Sequence, residues 1–274
     1  MTGEAISDSS TRVFLDEARC IELSGDDARA FAQAQFSGDV RALRPLHWQW
    51  NAWLDHKGGV RALIHLADAG DGRLLALLRG GGVQTVCTEL RKYVLRAKVR
   101  IEPLRDCFLS IGAPLPLHEL RVGHEAIGFG CGDRSIWLET AQRASDAGHQ
   151  RDFHLAEIRE GWPTLPPGLE AKFLPPALGL EHLRAVSFDK GCYPGQEIAA
   201  RLHYRGGHKR RLAHVIAPAP LRPGGPLAVG NGEWGIVLNA VETSVGGEAL
   251  AVLEKTCLSS HLHHDLKVIR SFEA

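Results

Sequence analysis

The alternation of hydrophobic and polar residues in the first hundred residues predicts short strands and two amphipathic helices. Residues 11–15 and 20–23 alternate as half-buried strands do. Helix-start residues at 24–27 precede apolar residues at helical spacing up to residue 36, and residues 83–93 carry a second apolar stripe. Further strands are predicted at 60–66, 73–78 and 99–103, with a hairpin loop at 68–72. Strands and helices that occur together in the first hundred residues indicate an α+β fold.

The pattern changes twice in the remainder of the chain. Strands are predicted at 107–111, 126–130 and 135–140, followed by a helix at 153–161 that ends at Trp162-Pro163. From residue 212 onward, short strands alternate with glycine-rich turns, which is typical of a small barrel or sandwich. A chain of 274 residues is long enough for two or three such domains.

Composition excludes several classes of protein. The 32 basic and 32 acidic residues balance, so no overall field attracts nucleic acid or an anionic membrane, and we expect no stable binding to either. Residues 1–10 lack a signal-peptide pattern, and the longest apolar run, residues 74–78, is far shorter than the ~20 residues of a membrane span. These features favour a cytoplasmic protein. The six cysteines are scattered without a Cys-x-x-Cys pair, so we expect reduced thiols and no metal site.

The run Lys190-Gly191-Cys192-Tyr193-Pro194-Gly195-Gln196-Glu197 is the strongest chemical signal. Pro194-Gly195 fits the centre of a type II turn, and the following residues predict a short helix in which Glu197 and Arg201 stand four apart. A thiol beside a lysine and near a helix start has a stabilised thiolate, which makes Cys192 the candidate reactive group. The alternative is that Cys192 is a small buried residue in a structural turn.

Two other stretches leave alternatives open. Trp48, Trp50 and Trp53 lie within six residues and predict either core packing or an aromatic wall for a flat ligand. Residues 201–211 are rich in basic side chains and glycine, and predict either a solvated loop or a seat for carboxylates or phosphates.

The motif at residues 187–197, with Ala200-Arg201, Arg205-Gly206 and Lys209-Arg210, resembles the signature of the YgfZ family of folate-binding proteins, which is related to the T protein (aminomethyltransferase) of the glycine cleavage system. The resemblance extends to residues 25–27 and 39–40, 55–58, 90–93 and 160–163, and so covers nearly the whole chain.

This resemblance implies a three-domain cloverleaf around a central channel, with two α+β, ferredoxin-like units and a C-terminal β-barrel. We assign residues 1–48 with 104–205 to the first unit, 49–103 to an inserted second unit and 206–274 to the barrel. The resemblance also implies tetrahydrofolate binding in the channel, a role in iron–sulfur cluster assembly and repair that affects tRNA-modifying client enzymes, and Cys192 as the key residue.

Within this framework Cys192 and Lys190 are the predicted catalytic pair, with Lys190 favouring the thiolate. The predicted folate-binding or turn-holding residues are Phe153, Tyr193, Gln196, Glu197, Arg201, Arg205 and Glu160. Two positions depart from the relatives. Arg61-Ala62-Leu63 stands where the aminomethyltransferase has an acidic pair, and Ala18 falls near an expected aromatic contact and cannot stack.

The resulting prediction is a monomeric tetrahydrofolate-binding accessory protein, with transient iron–sulfur client enzymes as partners. A folate-dependent one-carbon transferase with an unknown acceptor is the alternative, and the missing acidic pair counts against glycine cleavage activity. A third hypothesis takes residues 201–211 as an RNA contact, against which the zero net charge counts.

Overall fold

A computed structural model describes residues 11–229, 233–258, 262–263 and 266–273. The N-terminal residues 1–10 therefore lie outside the described part of the chain. Four α-helices occur in the described residues: α1 Ala28–Gln35, α2 Val83–Arg91, α3 Ala147–Glu160 and α4 Gln196–Arg205. The strands are β1 Val13–Glu17, β2 Cys20–Ser24, β3 His47–Leu54, β4 Val60–Asp68, β5 Leu74–Gly80, β6 Arg100–Pro103, β7 Phe108–Gly112, β8 Leu120–Val122, β9 Ala126–Gly130, β10 Ser135–Glu139, β11 Arg210–Ala217, β12 Pro226–Val229, β13 Glu233–Thr243, β14 Gly246–Glu254, β15 Leu262–His263 and β16 Leu266–Phe272. These bounds confirm the predicted α+β class.

The strands form three antiparallel sheets. The first has the order β1-β7-β10-β9-β8, the second β3-β4-β5-β2-β6 and the third β12-β13-β14-β11-β16-β15. The first and second sheets meet at their edges, where the Trp48 amide donates to the His118 carbonyl at 2.9 Å. The third sheet is built from the C-terminal short strands that the sequence predicts.

Sheet membership corrects one predicted boundary. We placed residues 1–48 in the first unit, but β2 pairs with β5 on one side and β6 on the other, inside the second sheet. Helix α1 packs on this sheet through Phe31. The physical reason is that Ile21 and Leu23 of β2 are fully buried, as in an interior strand. The domain boundaries otherwise remain predictions.

One hydrophobic core is shared by all three sheets. Phe129 of the first sheet, Leu63 of the second and Val252 of the third are fully buried in it. A second core lies between the second sheet and helices α1 and α2, and a third lies within the C-terminal sheet. Because the largest core crosses the sheets, side chains from distant segments meet at their junction. No helix in the described residues has the length and apolar character that crossing a lipid bilayer requires.

Candidate functional site

The turn that carries Cys192 is fixed by close packing against the β3–β4 connection. Gly195 has φ 76° and ψ 0°, as the second central residue of a type II turn requires, which confirms the predicted turn. A Cβ at Gly195 would lie 2.5 Å from the carbonyl oxygen of Asp55, and one at Gly58 would lie 3.1 Å from Ile198 of α4. Only glycine permits this approach, so the turn and the start of α4 are seated on residues 55–59.

The segment before the turn is tied to the loop that follows α1. The Lys190 ammonium donates to the carbonyl oxygens of Phe36 at 2.6 Å and Gly38 at 2.8 Å, and the Ser187 amide donates to the Ser37 carbonyl at 2.9 Å. Burial lowers the pKa of Lys190 to about 8. These contacts give Lys190 a structural role, and the described residues show no hydrogen bond from it to Cys192. The prediction that Lys190 favours the thiolate stays a prediction.

Cys192 differs from the other cysteines in exposure. All six lie in the described part of the chain, and Cys192 is the exposed one. Burial raises the pKa of Cys131 to about 12 and raises that of Cys20 as well, which suppresses their thiolates. Cys107 is intermediate in exposure, and burial also raises its pKa. The alternative that Cys192 is a small buried residue is therefore wrong.

Tyr193 points into the core next to this thiol. Its side chain is buried, its hydroxyl donates to the Ser187 carbonyl at 3.4 Å, and the Lys190 ammonium lies 5.0 Å from its ring centroid. Burial raises the pKa of Tyr193 to about 12. Tyr193 therefore anchors the turn, and its predicted contact with folate is untested.

Helix α4 displays the remaining motif residues at the surface. Gln196 begins the helix, and its backbone N–H donates to the Tyr193 carbonyl oxygen at 3.2 Å. Glu197, Arg201 and Arg205 are exposed, and none forms an ion pair with a described residue. The predicted contact between Glu197 and Arg201 is thus not formed, and an exposed pair of this kind would stabilise the helix only slightly.

Phe153 and Glu160 lie on α3, in a separate group around Arg134. Phe153 is buried, with the Arg134 guanidinium carbon 5.3 Å from its ring centroid and 5.1 Å from that of Trp162. Glu160 accepts two hydrogen bonds from Arg134, at 2.9 and 2.6 Å. Both carboxylate oxygens of Glu160 are therefore engaged by protein, whereas we predicted that Glu160 contacts folate.

A buried ion pair that sequence reasoning missed stands one turn earlier on α3. Glu157 is fully buried and pairs with Arg79 of β5. His154 lies 3.1 Å from Glu157, and Arg79 also donates to the Thr164 hydroxyl at 3.2 Å. Burial alone would raise the pKa of Glu157, but Arg79 and His154 hold it below its usual value. The only sequence signal was the acidic residue on the apolar side of the predicted helix.

His154 and Thr164, which contact this ion pair, also line a cavity of about 310 Å³. Its apolar walls include Leu165, Pro166 and Leu238, and its polar lining residues are Arg19, His154, Thr164 and Asn239. Asn239 is itself fixed, since it accepts from the Thr164 amide at 2.7 Å and donates to the Trp162 carbonyl at 3.0 Å. Apolar walls with a few oriented polar groups are typical of small-molecule sites. None of the sequence-predicted site residues lines the described cavity.

The tryptophan cluster proves to be core packing. Trp48, Trp50 and Trp53 are at most 2% exposed, and His65 is fully buried between the first two, with ring centroids 4.3 and 4.2 Å away. Burial lowers the pKa of His65 well below its usual value, so its imidazole is neutral. Of the two predicted alternatives, the aromatic wall open to a ligand is wrong.

Arg61 occupies the position where the resemblance to the aminomethyltransferase would imply an acidic pair, and its side chain contacts Trp53 and Glu89. The guanidinium carbon lies 4.2 Å from the Trp53 ring centroid, and one nitrogen lies 3.7 Å from Glu89. A guanidinium cannot accept a proton at neutral pH. The one-carbon transferase alternative therefore lacks a proton acceptor at this position.

The fold of this chain is similar to that of a known aminomethyltransferase. The aminomethyltransferase T of the glycine cleavage system from Bartonella henselae superposes with a TM-score of 0.69 over 96% of this chain and 85% of that protein, at 14% sequence identity. The three sheets thus adopt the fold of the glycine cleavage T protein.

Sequence relatives narrow the class. An uncharacterized protein of Haemophilus influenzae is 31% identical over 208 residues, which is 73% of this chain and 71% of that protein. The tRNA-modifying protein YgfZ of Yersinia pestis is 29% identical over 270 residues, covering 86% of this chain and 82% of the relative. No protein-family model matches the chain. With these relatives, this fold and the motif around Cys192, the chain belongs to the YgfZ family.

Proposed function

We propose that this protein binds tetrahydrofolate and supports iron–sulfur cluster assembly or repair, and thereby tRNA modification, with Cys192 as its reactive thiol. The observation that carries the proposal is the exposure of Cys192 on a turn that is rigidly seated against the second sheet. A thiol held in one place and open to solvent can react with a partner's sulfur, whereas the buried thiols cannot. The relatives named tRNA-modifying protein YgfZ support the link to tRNA.

The 310 Å³ cavity is our candidate folate site. A flat pterin fits between apolar walls such as Leu165 and Leu238, and its ring nitrogens and carbonyl fit hydrogen-bonding groups such as Thr164 and His154. Arg19 supplies a cation for the glutamate carboxylates. The family resemblance implies folate binding in a central channel, and our proposal takes this cavity as part of that channel.

The folate site and the thiol have separate tasks in this proposal. The cavity is lined by α3, β13 and residues 164–167, while Cys192 stands on the turn before α4. Folate occupancy would then be retained when the thiol is removed. A single cysteine cannot hold a cluster alone, so Cys192 acts with a ligand or thiol from an iron–sulfur client enzyme.

A titration with tetrahydrofolate tests the pocket. Intrinsic tryptophan fluorescence is followed for the wild type, for Cys192→Ala and for Ala240→Phe, which places a ring in the cavity lining. We expect saturable binding in the first two proteins and a loss of at least about tenfold in the third, because the filled cavity excludes the ligand. Ala144→Phe, at an exposed position, is the matched control and should bind as the wild type does.

Three outcomes would contradict the proposal. Absence of saturable binding in the folded wild type would remove folate from the function. Equal binding by Ala240→Phe, with thermal unfolding showing that the variant is folded, would place folate elsewhere. For the thiol, failure of Cys192→Ala to impair the activity of an iron–sulfur enzyme in cells that depend on this protein would refute the role of Cys192.

A further inference from the structure

The outer face of α4 is cationic and is not neutralised by the rest of the chain. Arg201 and Arg205 stand four residues apart on this helix, so they lie on the same face. Both are exposed, as is Lys209, and none of the three forms an ion pair with a described residue. Glu197 stands one turn before Arg201, so the positive charge is concentrated in the C-terminal half of α4 and the glycine turn that follows.

An exposed aromatic side chain lies beside Arg201 on the surface of α4. Tyr204 is 71% exposed, and its position three residues after Arg201 makes the two side chains neighbours on the helix surface. Its ring is therefore open to solvent and accessible to a flat ligand group beside the two guanidinium groups.

The Tyr204 ring is held by its neighbours. His203 stacks on Phe188, with centroids 4.1 Å apart and planes at 19°, and meets Tyr204 edge-on at 4.8 Å. His203 is oriented by Glu181 at 2.8 Å. The result is an aromatic group whose inner members are fixed and whose outer ring offers a free face.

We infer that the α4 face of Arg201, Tyr204 and Arg205, together with the exposed Lys209 after the glycine turn, binds single-stranded RNA. Unpaired cations suit the phosphates of a flexible strand, and an exposed tyrosine suits an unstacked base. The zero net charge of the chain means that attraction arises only locally, so the contact is transient and sensitive to salt. The choice of RNA over DNA rests on the proposed function, whereas the face itself lies apart from the folate cavity.

Fluorescence anisotropy with a labelled single-stranded RNA of about 12 nucleotides tests the inference. Three phosphate contacts predict a slope of about −2 for log affinity against log salt, which is a loss of about 20-fold between about 50 and 200 mM. Arg201→Glu/Arg205→Glu should weaken binding by at least about tenfold and flatten the slope, while Arg201→Lys/Arg205→Lys should preserve it. Tyr204→Ala should weaken binding by about fivefold or more with an unchanged slope, because base stacking is lost and the charges remain.

The matched control is Arg96→Glu/Arg105→Glu, which makes the same charge change at two exposed arginines outside this face. Binding by the control should stay within about twofold of the wild type. An equal loss in the control, no loss in Tyr204→Ala, or tighter binding of DNA or of duplex RNA of the same sequence would each overturn the inference. Tetrahydrofolate binding by the same preparation separates the two proposals. A wild-type protein that binds folate but not RNA overturns the RNA face alone.

Discussion

Replacing Glu157 with leucine removes the buried partner of Arg79 and should be among the most destabilising single changes in this chain. Glu157 is fully buried and Arg79 is 7% exposed, so the guanidinium that remains is shielded from water. Its only other side-chain partner in the described hydrogen bonds is the Thr164 hydroxyl. Breaking a buried pair in this way costs about 3–5 kcal/mol, because a desolvated charge is left uncompensated.

The expected loss corresponds to a fall in melting temperature of about 6–20 °C, at about 2–4 °C for each kcal/mol in a chain of this size class. Differential scanning calorimetry or thermal circular dichroism measures this shift. The double variant Glu157→Leu/Arg79→Met should recover most of the loss, since it removes both charges and retains volume. Asp152→Asn, at an exposed site on the same helix, is the control and should change stability by no more than about 0.5 kcal/mol.

The pH dependence of folding stability provides a second test of the Arg79–Glu157 pair. The pKa of Glu157 in the folded protein lies below the unfolded value of 4.5, so its stabilising contribution is present above pH 4.5 and is lost as the pH falls through the lowered value. The difference in stability between the wild type and Glu157→Gln should therefore shrink in acid. A loss of less than about 1 kcal/mol in Glu157→Leu, or a double variant no more stable than that single variant, would refute the reasoning.

Three further predictions concern the thiol, a buried histidine and the lysine of the motif. Native protein treated with iodoacetamide should show one rapidly alkylated cysteine, which is absent in Cys192→Ser; a rapid phase that persists would contradict this assignment. Below pH 6.5 the wild type should lose about 1.4 kcal/mol of stability per pH unit, because the buried imidazole of His65 stays neutral while the unfolded one takes up a proton. His65→Phe should not show this loss. Urea unfolding at pH 5 and 7.5 measures it, and an identical pH dependence in both proteins would refute it. Lys190→Met should cost about 2–3 kcal/mol, since two carbonyls lose their donor, and an unchanged denaturation midpoint would show that water replaces the ammonium.

The local elements of this fold could be predicted because their signals are local. Helix α2 at Val83–Arg91 and the hairpin of β4 and β5 follow from apolar periodicity and from glycine and aspartate in the loop. The type II turn at Gly195 follows from the Pro-Gly pair. Sequence periodicity could not place β2 in the second sheet, because strand order depends on contacts across about 50 residues or more of chain, from Leu23 to Leu74 and Ile101.

The candidate site was only partly predictable for the same reason. Cys192 was identified from its neighbours in sequence, and the structure adds that it is exposed. The Arg79–Glu157 pair joins residues 78 apart, and charged residues considered one at a time are expected at the surface. Glu160 and Tyr193 were expected to face folate, yet each is held by protein contacts that only the folded chain creates.

The sequence by itself determined many of the strands and helices, the turn that presents Cys192 and membership of the YgfZ family, since each depends on residue types at short spacing, but it missed β3 and the first turns of α3. The tertiary structure decided that Lys190 binds the carbonyls of residues 36 and 38, and that Cys192 alone among the six thiols is exposed. It also decided that the cavity is lined by Arg19, His154 and Asn239, which are drawn from three separate parts of the chain. Burial and long-range pairing arise only when the sheets share one core, and they govern which polar groups are free to act.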